Sequence, residues 1–380
     1  MKLIEIYNKI KEKYPIELIT GMSGTYYSIQ WVHMIEDLKG TEFIHGNELI
    51  FTTGIANHGD SWLLDFVRGL YQNHASGLVV NTGPYIKEIP EMVKEFGRKY
   101  EFPLMEIPWE VHLVDVLKYI SGLLLDQEKR KAGIVNAMKD AIFYASGNSI
   151  YKTHLKRYGY YIEKNYCPVL LDMQMISETE SEQYTGSLED MLSFYFSRVV
   201  VFKFNKYIVI VLYNVEEKQI LECCKKVEEY EKSHPLFKVK AIASGPNFFN
   251  VENLAESYQI ARNMICLAGK LKEKVLIYDN MGIYQLLLTN QNKDALRKYA
   301  KNILGNLYDY DRKNQTDYVK ILKIYMESDC SVQETAKREF CHRNTINQRI
   351  HHIKQILDRE TIGIQDKVEI MMAFAILDMQ

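Results

Sequence analysis

Residues 331–357 read SVQETAKREFCHRNTINQRIHHIKQIL. Ser331 followed three residues later by Glu334 has the spacing of a capping box. The serine oxygen accepts from the third helical amide while the glutamate reaches back to the serine amide. The helix started there is short and ends near Phe340. A second, longer one begins after Cys341-His342. A helix, a tight turn and a longer helix make a helix-turn-helix.

Wound at about 100° per residue, Ile346, Ile350, Ile353 and Leu357 form one stripe, which has to face a core. Asn344, Gln348, His351 and Gln355 form the opposite stripe. Amides of this kind hydrogen-bond base edges, and Asn and Gln pair bidentately with adenine. Arg343 and Lys354, with Lys337 and Arg338, flank the face and suit phosphates. The candidate DNA-binding set is Arg343, Asn344, Thr345, Asn347, Gln348, His351, Lys354 and Gln355. Between 331 and 355 there are five Lys/Arg against two Asp/Glu, whereas the whole chain carries a net charge of −2. An ordinary solvated helix face is the plain alternative, but such faces mix Glu with Lys, and no acid lies between 340 and 357. Arg349 lies beside the apolar stripe and reads either as a packing residue or as a DNA contact.

Outward from this segment, 380 residues call for two or three domains. With 47% hydrophobic and 25% charged residues the chain has the balance of a soluble globular protein. The near-neutral total excludes a general nucleic-acid coat protein. Of the six cysteines, Cys223 and Cys224 are adjacent on an expected helix, where they would point in different directions. None forms a CxxC pair or a zinc spacing, so reduced thiols, no metal and no cofactor are expected. Met1-Lys2-Leu3-Ile4-Glu5 does not start a secretory signal, and the apolar run Val199–Tyr213 is interrupted by Lys203 and Lys206. A cytoplasmic protein without membrane contact is expected. No GxSxG, Walker, GxGxxG or HExxH pattern occurs, so neither catalysis nor a catalytic residue is expected.

Residues 1 to about 110 alternate strand-type runs (Ile16–Ile19, Ser28–Met34, Glu48–Thr53, Gly77–Asn81, Leu104–Ile107) with amphipathic helices, which predicts a small α/β domain with a largely parallel sheet. From Val111 to Tyr144 a helical stretch keeps Val116, Ile120, Leu123, Ile134, Met138 and Ile142 on one seam. This reads equally as a two-chain coiled coil or as one helix packed on its own domain. A second α/β or α+β pattern spans about 165–290, with strands expected at Pro168–Met175, Val199–Phe204, Tyr207–Tyr213, Val239–Ser244 and Val275–Tyr278. A tight hairpin falls at Phe204-Asn205-Lys206. Beyond 292 the chain reads all-helical.

These segments resemble a known family. Ser331-Val332-Gln333-Glu334-Thr335-Ala336 and Cys341-His342-Arg343-Asn344-Thr345-Ile346-Asn347-Gln348-Arg349-Ile350 resemble the C-terminal helix-turn-helix of PucR/CdaR-type bacterial regulators, and Leu307-Tyr308-Asp309-Tyr310-Asp311 is similar to that family's lead-in. The runs at 46–54 (Gly46 to Gly54), 77–85 (Gly77 to Tyr85) and 102–108 (Phe102 to Pro108) are similar to the PucR-type sensor domain. Residues 253–261 (Asn253 to Ala261) look like the GGDEF-related domain found between sensor and reader. The resemblance implies a PucR-like α/β sensor over 1–125, a helical linker over 126–160 able to dimerise, a degenerate GGDEF-like domain over 161–290 and an all-α DNA-binding domain over 291–380. An active diguanylate cyclase has Gly-Gly-Asp/Glu-Glu-Phe at its hairpin. This chain has Phe204-Asn205-Lys206-Tyr207, without the acids that hold Mg²⁺, so no cyclase activity is implied.

The implied partners are a double-stranded operator, a small-molecule effector and a second copy in a homodimer or higher homo-oligomer, since one reader helix covers only a half-site. The implied effectors are purine breakdown products or related nitrogen compounds. From topology alone, ligands sit beyond the carboxyl ends of parallel strands. Here those ends offer Thr52, Thr53 and Gly54; Asn81, Thr82 and Gly83; and Trp109, with His58 and Asp60 in the same loop. Ordinary turn residues would look alike. The competing function is an effector-binding interaction module that does not read DNA.

Overall fold

The computed structural model describes residues 1–57, 59, 61–144, 149–174, 178–234, 237–290 and 292–379. The chain forms two compact units, Met1–Gly133 and Ile134–Gln380.

In the first unit, α1 (Leu3–Lys11) precedes β1 (Glu17–Thr20), β2 (Trp31–Met34), β3 (Glu48–Thr52), α2 (Trp62–Gln72), β4 (Gly77–Thr82), α3 (Glu91–Lys99) and β5 (Leu104–Pro108). The sheet order is β1-β5-β4-β3-β2. Strands β2 to β5 are parallel, as expected, and β1 is antiparallel to β5. Successive side chains of a strand point to opposite faces. Phe51, Val79 and Met105 accordingly join Leu3, Ile6 and Ile10 of α1 on one face, while Ile50, Leu78 and Leu104 join Phe66 and Leu70 of α2 on the other. With both faces covered, β3 is buried at every position. The strand expected from Ser28 starts only at Trp31, because Ile29 N instead donates to Met1 O (2.7 Å).

Helix α4 (Leu113–Phe143) belongs to both units. Val116, Ile120 and Leu124 are buried in the first unit's core, and Met138, Ala141 and Ile142 in the second's. Leu123 and Ile134 are half-buried. Most of the seam is therefore spent inside the chain's own domains, which favours the packed-helix reading over a coiled coil.

In the second unit, α5 (Ile150–Arg157) leads into β6 (Asn165–Met173), α6 (Glu178–Leu192), β7 (Val199–Phe204), β8 (Tyr207–Tyr213), α7 (Glu217–Ser233), β9 (Val239–Ser244), β10 (Phe248–Phe249), α8 (Leu254–Leu271), β11 (Val275–Ile277) and α9 (Ile283–Thr289). The sheet order is β11-β9-β6-β8-β7, with β10 beside β6. All its pairings are antiparallel except β11 with β9. The hairpin β7/β8 closes at Phe204 and Tyr207, and Asn205 takes the left-handed conformation the tight turn requires. Cys223 and Cys224 stand about 100° apart around the helix, yet the buried face of α7 is broad enough to take both. Both are fully buried, on the stripe Ile220, Cys223, Cys224, Val227 that packs α7 on the sheet. Positions i+3 and i+4 share a helix face with i, which places neighbours 223 and 224 on one side.

The chain ends in helices: α10 (Lys293–Asn314), α11 (Tyr318–Glu327), α12 (Val332–Arg338), α13 (Arg343–Ile356) and α14 (Ile364–Asp378). Their common core includes Leu304, Leu307, Ile321, Leu322, Ile346, Ile350, Ile353 and Phe374. Among the described residues no helix is long and apolar enough to cross a membrane.

Candidate nucleic-acid interface and ligand site

The helix-turn-helix is assembled from α11 upward. The Asp311 carboxylate, on α10, accepts from Tyr318 N (2.9 Å), Val319 N (2.9 Å) and Thr316 Oγ1, and so closes the open amides at the start of α11. At α12, Ser331 Oγ accepts from Glu334 N (3.3 Å). The returning arm of the expected capping box is not formed: Ser331 N donates to Ser328 O (2.9 Å), and Glu334 pairs with Lys337 (2.7 Å). Thr335 is buried and donates to Ser331 O (2.8 Å).

The turn covers residues 339–342. Phe340 is 96% exposed and sits at a φ of 52°. That conformation is costly for a bulky residue, and the sequence reading did not single it out. His342 caps α13, its Nδ1 accepting from Asn344 N at 3.2 Å. His342 too was missed, because histidine is outside the usual capping set.

Along α13, Ile346, Ile350 and Ile353 are buried. Arg343, Asn344, Asn347, Gln348, His351 and Gln355 are exposed, and Thr345 and Lys354 are half-buried. The eight candidate residues thus share the outer side of one helix. Gln355 Nε2 lies 3.2 Å from His351 Nε2, a contact that fixes the two ends relative to each other. Arg349 faces Asp317 at 3.7 Å, an ion pair to the start of α11 that gives it a structural partner. Lys337 and Arg338 are held by Glu334 and Glu327, each at 2.7 Å. Exposed pairs of this kind contribute about 0–1 kcal/mol, little enough for a phosphate to compete.

In the first unit, Thr52, Thr53 and Gly54 end β3, Asn81, Thr82 and Gly83 end β4, and Trp109 follows β5. They meet at one edge of the sheet, but most of their polar groups are already paired. Glu36, which the sequence reading passed over, lays its carboxylate across the end of β3. It accepts from Thr52 Oγ1 (3.0 Å), Thr53 N (3.0 Å), Thr53 Oγ1 (2.8 Å) and Gly54 N (3.1 Å). Asn81 is buried and donates to Pro108 O (2.9 Å) and Ile107 O (3.2 Å). Thr82 Oγ1 donates to Ile107 O (3.4 Å). Gly83 is required because a Cβ there would lie 2.7 Å from that of Trp109. Trp109 and Tyr85 are exposed and meet edge to face at 5.8 Å. A cavity of about 150 Å³, lined by Asn57, Leu63, Tyr85, Ile86 and Pro90, lies beside them. It is smaller than the about 300 Å³ at which small-molecule pockets begin. His58 and Asp60 lie outside the described residues.

Comparison with known proteins separates the two ends of the chain. Residues 8–124 match the purine catabolism regulatory protein-like family, and residues 318–376, from α11 into α14, match the PucR C-terminal helix-turn-helix domain. Three curated relatives come from Bacillus subtilis (strain 168). The purine catabolism regulatory protein is 28% identical over 128 residues, 33% of this chain and 23% of its own. The proline-responsive transcriptional activator PutR is 30% identical over 33% of this chain and 30% of its own, and the DNA-binding transcriptional activator AdeR 27% over 34% and 32%. The matches thus span about a quarter to a third of the relatives' length. A solved structure, the regulator of polyketide synthase expression from Bifidobacterium adolescentis, aligns over 63% of this chain and 95% of its own at 13% identity, with a TM-score of 0.30. This chain therefore carries a PucR-family domain at its amino-terminal end and a PucR C-terminal helix-turn-helix domain at the other.

Proposed function

We propose that the chain is a sequence-specific DNA-binding transcriptional regulator, without catalytic activity, that works in the cytoplasm and responds to a small metabolite. The observation that carries this reading is the outer face of α13. Its amides and His351 are exposed, it has no acid, and three isoleucines behind it lock it to the core. The N-terminal domain is the sensor, over 1–125. A purine catabolite, or an amino acid such as the one named for PutR, is the effector class the relatives suggest. Trp109 and Tyr85 offer a flat ligand an aromatic edge, and Glu36 has to be counted with Thr52, Thr53 and Gly54 in any recognition there.

In this proposal residues 126–160 link sensor and adaptor, 161–290 form a GGDEF-related adaptor, and 291–380 form the reader. The hairpin at Phe204-Asn205-Lys206-Tyr207 supports an adaptor without cyclase chemistry. Lys206 stands 3.7 Å from Asp172 there, where the cyclase would need free acids. Two copies acting together would present two α13 helices to paired half-sites.

The test is DNA selection with the full chain followed by gel shift. Asn344→Ala and Gln348→Ala should each cost about 1–3 kcal/mol of discrimination at the base they face. Lys354→Ala should weaken all sequences alike and reduce the slope of log K against log salt by about 0.9. Wild-type binding by all three variants would remove α13 from the reading role and leave the interaction-module function in its place.

A further inference from the structure

A cavity of about 700 Å³ lies among α8, α9, α11 and α14, within the second unit. That is within the range of about 300–1,000 Å³ typical of small-ligand sites. Its floor is apolar: Leu271, Ile283, Val368, Met371 and Met372. Ile283, Val368 and Met371 are 45%, 59% and 43% exposed. Helix α14 already buries Ile370, Ala373 and Phe374 against the helical core, so its outer side is apolar without a protein cover. An apolar patch of this kind on an exposed helix side marks a place where something binds.

The rim is positively charged. Lys270, Lys272, Lys323, Arg338 and Lys367 stand against Glu327 and Asp378. Three of these cations are matched: Lys323 by Asp378 (2.8 Å), Arg338 by Glu327 (2.7 Å) and Lys367 by Asp329 (3.6 Å). Among the described residues no carboxylate pairs with Lys270 or Lys272. They flank Leu271 at the carboxyl end of α8, where the helix dipole favours cations.

We propose that this cavity binds a small amphipathic anion, a medium-length acyl chain ending in a carboxylate. The chain lies on the methionine floor, and the carboxylate meets Lys270 and Lys272. A neutral lipid would leave the two lysines unmatched, and a purely polar anion would leave the floor wet. Methionine side chains adapt their shape to flexible chains. Because α11 and α12 also line the cavity, an occupied site is expected to change DNA affinity. That consequence rests on the function proposed above, whereas the binding itself does not.

Calorimetric titration of dodecanoate, below its micellar concentration, into the full chain tests the site with no DNA present. One saturable site per chain is expected. The double variant Lys270→Glu, Lys272→Glu and the single variant Val368→Glu should each weaken it by about tenfold or more. All three positions are exposed, so the variants should stay folded, with at most a small fall in melting temperature from the reversed charges at the end of α8, and dodecyltrimethylammonium should bind at least about tenfold more weakly than dodecanoate. No saturable dodecanoate binding, unchanged affinity in both variants, or equal binding of the cation overturns the proposal.

Discussion

At Glu36 a single carboxylate satisfies two backbone amides and two hydroxyls at the end of β3. Replacing it by Gln keeps the shape but turns one acceptor into a donor that faces donors. Unmet groups of this kind cost about 1–3 kcal/mol. Glu36→Gln should lower the urea midpoint of the first unit accordingly, and an unchanged midpoint would mean that water replaces the clasp without cost. The thiols are a second case at this scale. Burial pushes the Cys167 and Cys223 thiols well above their usual range and Cys224 up to about 12. The folded chain then keeps protons that the unfolded chain releases from about pH 8.5 upward. Their contribution is fully present below that pH and is lost as the pH rises, by up to about 1.4 kcal/mol per pH unit for each thiol. Cys224→Ala should flatten the alkaline fall in stability measured from pH 8 to 10. Iodoacetamide should label exposed Cys266 in the native state and reach Cys223 only on unfolding.

Among the elements, α11 depends on a residue outside itself. Its first amides are closed by Asp311 from the preceding helix, seven and eight residues upstream. Asp311→Ala should destabilise the helical domain by about 1–2 kcal/mol, the usual cost of a lost cap, and Asp311→Asn by less. Helical-signal melting distinguishes the two, and equal melting of both variants and wild type would show that α11 is capped by solvent. Asp311 stood in the quoted lead-in, but its role was not legible, since the partner amides lie beyond the range of any capping pattern. The same limit hid Glu36, whose partners are 16 to 18 residues away across two strands. What was legible was periodic. Strands β3, β4 and β5 appeared because a sheet covered on both faces writes unbroken apolar runs. Helix α13 appeared because its isoleucines repeat at three and four residues. The capping box was only half legible, since the spacing of Ser331 and Glu334 does not reveal that Lys337 competes for the glutamate. The candidate ligand residues share one edge of the sheet, but the pairing of their polar groups within the chain could be seen only in three dimensions.

For the whole molecule, α4 is the element that both units share. Between Leu124 and Ala137 no residue of this helix is buried, and only Ile134 and Val135 at the far end of that span pack against a core, so the stretch from 125 to 133 rests mainly on backbone bonds and helix propensity. Segments with few packed side chains open at low free energy compared with the cores on either side. The run Asp126-Gln127-Glu128-Lys129-Arg130-Lys131 supplies trypsin sites within that span. Brief digestion should therefore cut first after Lys129 or Arg130, detected as fragment masses. Each fragment should still unfold cooperatively, because the cores on the first sheet contain only residues up to Leu124 and those of the second unit begin at Ala137. A first cut elsewhere, or collapse of either fragment on cutting, would show that the middle of α4 is supported by something other than its own backbone. On the function proposed above, the cut also tests how sensing would reach the DNA-binding helices. If effector occupancy is transmitted along α4, the nicked protein keeps effector binding in the amino-terminal fragment and DNA binding in the other, but effector no longer changes DNA affinity. Persistence of that effect after separation of the fragments would place the coupling outside the helix.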